Sequence, residues 1–207
     1  MSNLGTLRAR IAREMKRGDI TADSPAVMDS IVSAIDYFAN QRFFFNEFSD
    51  TAFSASSSVR SQTLPIIPVI LDGVKVKHGN REYPLEERTW SWMDDTDSGM
   101  FYGYPDYYSW HTNSLRLYPP PNDSYSLVIS GVKLLTEVSV SASNSASNAW
   151  TSDAEAMIRL QAKAYLWRDE LRNHQESQAF MGYADVERKS LKKRTTHLTS
   201  GKLRGSW

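Results

Sequence analysis

Apolar residues recur every three or four positions at both ends of the chain and every second position in its middle. Leu4, Leu7, Ile11 and Met15 lie on one helical face. Thr6 is the predicted N-cap of that helix and Gly18 its predicted C′ residue. A second helix opens at Ser24-Pro25, where the missing proline N–H is harmless. Val27, Ile31, Ile35 and Phe38 form its stripe. It runs into Arg42-Phe43-Phe44-Phe45-Asn46-Glu47. Three adjacent phenylalanines fit no single helical face, so a strand is predicted to start here, with Phe43 and Phe45 on one side and Phe44 on the other.

The middle reads as β-structure. Asp72-Gly73 and His78-Gly79-Asn80 are turn signals beside alternating Val74 and Val76. Leu115 and Leu117, then Tyr125, Leu127 and Ile129, predict a hairpin whose connection holds Pro119, Pro120 and Pro121, which cannot donate ladder hydrogen bonds. That connection carries turn residues and no reactive groups. Short strands with frequent turns predict an antiparallel sheet or small sandwich.

Residues 139–150, rich in Ser and Asn, read as an exposed linker. Ser152 and Glu155 have capping-box spacing, and Met157, Gln161, Ala164, Trp167 and Leu171 then face one way. A last helix is expected over about 175–193. The fold class is therefore α+β: a body of about four helices, drawn from both ends of the chain, with an inserted antiparallel β domain. The expected divisions are an N-terminal helix pair (1–42), the β insertion (43–138), the linker (139–150), a C-terminal helix pair (151–194) and a flexible basic tail (195–207). The two helix pairs must pack together, because neither alone buries enough surface.

Charge sharpens this division. The 24 basic and 24 acidic residues cancel overall, so no global field would draw the chain to nucleic acid or a membrane. Locally, residues 61–150 carry 6 basic and 10 acidic groups and residues 151–207 carry 11 and 7. From Arg188 to Arg204 there are seven basic residues and no acid. Two readings are open: a solvated helix end and loose terminus that needs no function, or an arm that orders on a partner, gaining from charge and from burial of Trp207.

Candidate chemistry is sparse. The chain has no cysteine, which excludes disulfides, thiolate nucleophiles and Cys-ligated zinc. His78, His111, His174 and His197 sit in no catalytic motif. Asp94, Asp95 and Asp97 precede Gly99, but the glycine comes one place too early for a calcium loop, and a solvated turn is expected. A hydrolase could use acids such as Glu86 and Glu87 with Asp94, yet adjacent strand residues point to opposite faces, so Glu86 and Glu87 cannot flank one bond. No phosphate-cradling or dinucleotide glycine pattern occurs, and the sequon at Asn122 lacks a secretory context. The reading is of a non-enzyme, without cofactor or metal. No run approaches the about 18 apolar residues that span a bilayer, and no secretory h-region is evident, so a soluble protein made in the cytoplasm, with no membrane partner, is expected.

Several stretches together resemble the head-to-tail adaptor (connector) proteins of tailed bacteriophages, short-tailed ones especially. They are Arg42, Phe43, Phe45, Asn46 and Glu47; Tyr83–Glu86; Gly103–Tyr107, one residue tighter than the family's spacing; and Leu115–Pro121. The resemblance covers roughly residues 4–175 and implies a structural virion protein. It would form a ring, commonly of twelve copies, between the portal and the tail (nozzle) proteins, with packaged DNA passing through without sequence-specific binding. C-terminal segments in this family dock on the portal, which assigns that role to Arg188, Lys189, Lys192, Lys193, Arg194, Lys202, Leu203, Arg204 and Trp207. The Tyr-rich stretch 101–110 reads as core plus subunit contact, since Tyr buries its ring and keeps its hydroxyl wet, and Tyr102, Tyr104, Tyr107, Tyr108 and Trp110 are assigned to subunit or tail contact. The competing reading makes this aromatic stretch a tail module that recognises a host surface glycan.

Overall fold

The computed structural model describes residues 2–79, 81–96, 101–135 and 143–202, with the backbone alone for 197–202. The chain divides into two compact units. Met1–Asn46 and Leu135–Trp207 form one, and Glu47–Leu134 the other. Helical segments from both ends thus flank an inserted β region, the α+β architecture expected from the change of period.

The helical unit begins with α1 (Leu4–Met15) and α2 (Pro25–Ala39). Leu4, Leu7 and Ile11 are fully buried, as are Val27 and Ile31. The caps differ from expectation. Asn3 is the N-cap of α1, with Thr6 at N3 closing a reciprocal capping box, and Lys16 takes the left-handed conformation (φ 52°) in place of Gly18. Arg42–Asn46 is also not a strand. The buried Asn46 side chain accepts from the Phe43 N–H at 2.8 Å and donates to the Gln41 carbonyl at 2.8 Å, closing a turn. Phe43 and Phe45 do share a side: their rings stack at 5.3 Å, and Trp150 meets both edge-on.

Part of the expected linker, 136–142, lies outside the described residues. The remainder is structural. The carbonyls of Ala146 and Asn144 accept from the Leu4 and Gly5 N–H groups, donors with no partner inside α1. Asn148 caps α4 (Ala149–Ser152) and bonds reciprocally with Thr151. The Ser152 hydroxyl is committed to the Asn148 carbonyl, so it does not cap α5 (Glu155–Tyr165), which starts after Ala154 without a side-chain cap. A π-helical turn, Leu166–Glu170, follows, and then α6 (His174–Lys202).

α6 therefore continues past residue 193, through part of the stretch expected as a loose tail. Thr195 explains the anchoring. Its hydroxyl donates to the Leu191 carbonyl at 2.9 Å and accepts from the Phe44 N–H at 2.9 Å. A polar seam that no periodicity announced ties α1 to α5: Arg10 to Glu155 at 2.6 Å, and Glu14 to Arg159 at 2.6 Å and Lys163 at 2.8 Å.

The β unit contains β1 (Glu47–Ala55), β2 (Ser61–Thr63), β3 (Pro68–His78), β4 (Arg81–Pro84), β5 (Glu86–Glu87), α3 (Trp90–Thr96), β6 (Tyr107–His111), β7 (Ser114–Tyr118) and β8 (Tyr125–Lys133). Two sheets form, ordered β1-β8-β3-β4 and β2-β7-β6-β5. Pairing is antiparallel except for the short β5–β6 contact. Leu71, Val74, Val76, Leu127 and Ile129 from the first sheet meet Tyr108, Leu115 and Leu117 from the second in one core.

The proline segment is the main departure from the sequence reading. β7 and β8 are not a hairpin: β7 pairs with β2 and β6, whereas β8 pairs with β1 and β3. Pro119, Pro120 and Pro121 are buried in the passage from one sheet to the other. Their carbonyls still serve, as Pro120 accepts from the Gly103 N–H and Pro121 from the Ser58 N–H. Asp72-Gly73 is likewise no turn. β3 runs through it with an extra residue opposite β8 between Leu71 and Gly73, a bulge. The expected turn does occur at His78-Gly79, where Gly79 has φ 59°.

Candidate interaction surfaces

The C-terminal cations sit on one helix. Arg188 is half-buried, with its Nε 2.8 Å from Asp185 Oδ1, and Lys189 Nζ reaches Asp185 at 2.8 Å. The Lys189 hydrogen bond, then that of Arg188, holds the Asp185 carboxyl below the usual carboxylate range. Lys192 and Lys193 are exposed. The Arg194 guanidinium lies 4.1 Å from the Phe44 ring centroid, over the turn whose N–H bonds Thr195. Lys202 lies at the end of α6. Leu203, Arg204 and Trp207 fall outside the described residues. The basic run thus lies largely on a helix, where Lys192, Lys193 and Arg194, each about 100° from the next, point to different sides.

The aromatic stretch divides by burial. Tyr108 is 3% exposed and belongs to the core. Burial first, and then the Glu87 carboxylate beside it, pushes its phenol up to about 12. It therefore offers no outer surface, which follows from its in-register place on the inward side of β6. Tyr102 is exposed, while Tyr104, Tyr107 and Trp110 are half-buried. Arg88 stacks over both Tyr107 and Trp92, at 5.1 and 5.5 Å, so a cation already covers one face of Tyr107. Tyr104 meets Tyr83 and Tyr125 edge-on.

The acids weighed for hydrolysis do not converge. Glu86 pairs with Arg88, Glu87 lies against Tyr108, and Asp94 pairs with Arg116. Asp94 and Asp95 belong to α3, a short helix where a solvated turn was expected; Asp97 and Gly99 lie outside the described residues. Among the described residues no three His, Asp or Glu side chains group to hold a metal ion. No described helix is long and apolar enough to cross a membrane.

A helical unit interrupted by a β-sandwich, in which the acids weighed for hydrolysis point apart into separate pairings, has the build of a scaffold protein. The comparison with protein families agrees: the SU10 adaptor protein family matches residues 2–202, and the chain belongs to that family. It is thus a bacteriophage head-to-tail adaptor, a structural component of the virion that works in a ring with portal and tail proteins. A search of curated proteins finds no match.

Proposed function

We propose that twelve copies of this chain form the ring in a short-tailed phage, made in the host cytoplasm and assembled at the vertex once the genome is packaged. The helical unit surrounds the channel through which DNA leaves, and contacts DNA without reading its sequence. The exposed cations of the C-terminal part of α6, Lys192 and Lys193 foremost, dock on the portal together with the residues that follow. Tyr102, Tyr104, Tyr107 and Trp110 meet the next copy or a tail protein.

The observation that carries this reading is the family match over nearly the whole chain, joined to a helix that presents cations with no acid after Glu187. Many such arms on one ring act together through effective concentration, so weak single contacts suffice. Substituting Lys192→Glu and Lys193→Glu should leave a folded subunit that no longer co-sediments with portal particles. Undiminished attachment by this variant would refute the assignment of these α6 cations.

A further inference from the structure

A closed ring of one kind of subunit needs two different surfaces on each copy, one fitting the other. α6 carries such a pair on nearly opposite flanks. On one flank Met181, Asp185 and Arg188, with Gly182, line a groove of about 530 Å³ whose other walls are Tyr37 and Phe38 from α2, Gln41 just past its end, and Gln161, Tyr165 and Arg168 from α5 and the π-helical turn. On the other flank Ala179, Tyr183, Val186 and Ser190 recur at spacings of four, three and four, the period of one helical stripe. At about 100° per residue the stripe lies roughly 140° around the helix from the groove-lining residues. Its members are exposed, Tyr183 at 59% and Val186 at 63%.

Apolar side chains this open on a well-packed helix mark a contact surface rather than a core. The groove has matching needs. Its aromatic lip, Tyr37, is itself 60% exposed. Gln41 Oε1 is buried without a hydrogen-bond partner, an acceptor waiting for a donor. A tyrosine hydroxyl entering between Tyr37 and Met181 supplies that donor while its ring fills the apolar space. Charge agrees with this seating: Glu187, one turn on from Tyr183, borders the stripe, and the groove is lined by Arg168 and Arg188 against the single carboxylate of Asp185.

We infer that the occupant of the groove is the Tyr183–Val186 stripe of a neighbouring copy, with the Tyr183 hydroxyl donating to Gln41 Oε1. The contact is heterologous, and each copy uses both halves. The inference rests on the ring reading above and adds which surfaces close it.

The absence of cysteine makes a direct test available. Tyr37→Cys and Val186→Cys are introduced together in the full chain, rings are assembled on portal particles, and a short bis-maleimide is added. The expected result is a ladder of covalent multimers on a denaturing gel, with each single-cysteine variant stopping at monomer. Rings of normal mass that give no ladder overturn this contact while leaving the ring reading intact. Failure of the unaltered chain to form any ring overturns both. A second variant guards against a reporter placed slightly off: Tyr183→Glu with Val186→Glu, at exposed positions, should melt like the parent yet lower the assembled fraction at least tenfold. Unchanged assembly of that variant overturns the contact as well.

Discussion

The helical and β units solve the same packing problem with different tolerances. In the helical unit a stripe on each helix fills a shared core, and Trp150 sits where Phe43, Phe45 and α4 meet. A backbone there can shift a little without losing its own hydrogen bonds. In the β unit the central strand β8 is held on both sides, and both neighbours carry a bulge next to Gly131, which pairs with Phe48 and Leu71. The bulges bring backbone so close that a Cβ on Gly131 would lie 2.1 Å from the Ile70 carbonyl oxygen.

A single methyl group separates the two cases most sharply. Gly131→Ala should cost more than about 4 kcal/mol, because backbone atoms on both strands must move and the ladder bonds move with them. Hydrogen exchange read by mass spectrometry should show β3 and β8 losing protection while α5 keeps it. The matching change in the helical unit is milder. A Cβ on Gly5 would lie 3.0 Å from both the Cβ and the carbonyl oxygen of Asn144. That residue lies in a turn that can yield, so Gly5→Ala should cost about 1 kcal/mol. Equal losses for the two variants would show that the β unit is no stiffer than the helices.

The comparison reverses at Trp150. Trp150→Ala empties a site 2% exposed and should cost about 3 kcal/mol, the lower end for a buried tryptophan, since neighbouring helices close in partly. Protection should now fall in α1, α2 and α5 and persist in β8. Loss in both units together would mean that they unfold as one.

The same contrast governs what could be read from the sequence. Helical stripes are local, so Leu4, Leu7, Ile11 and Val27, Ile31, Ile35 were legible from spacing, and each is buried. Strand periods were legible too: Leu115, Leu117, Leu127 and Ile129 all point inward. Which strand each would join was not legible, because pairing depends on residues far away in sequence. Leu115–Val132 has the pattern of a hairpin whether β7 and β8 meet each other or part to different sheets. Caps failed for a similar reason. Thr6 and Ser152 have the right chemistry, but Asn3 takes the cap of α1 and the Ser152 hydroxyl is drawn back to the Asn148 carbonyl. The cations proposed for docking were visible as a run, whereas their placement on a continuous helix depended on Thr195 meeting Phe44, which no local pattern encodes.

That long-range bond gives a smaller test. Thr195→Val keeps the shape and removes both the acceptor of the Phe44 N–H and the donor to Leu191. Leaving a part-buried N–H without a partner should cost about 1.5 kcal/mol. Exchange of the Phe44 amide should rise about tenfold, the factor that corresponds to this energy. An unchanged Phe44 amide would show that α6 reaches residue 195 without help from the turn.

The smallest effect separates the units by pH. In the β unit Lys75 and Glu82 pair across β3 and β4 at 2.8 Å, but both are open to water, and little stability follows. In the helical unit Glu14 faces Lys163, which is buried and also lies 4.4 Å from the Phe180 ring. Burial pushes the Glu14 carboxyl up, but the hydrogen bond and charge of Lys163, with Arg159 and Arg13, outweigh it and hold the carboxyl below its ordinary 4.5. The folded state therefore releases this proton more readily than the unfolded chain does. Its contribution to stability is complete above about pH 4.5 and fades as the pH falls through the lower folded value. Glu14→Gln should cost less than about 1 kcal/mol at pH 7, because the partly exposed pair is screened by water. The gap from the parent, read as urea midpoints at pH 7, 4 and 3, should narrow at each step, while Glu82→Gln stays within error throughout. A Glu14 gap as wide at pH 3 as at pH 7 would mean that the side chain's packing against α5, rather than its charge, fastens the first helix to the fifth.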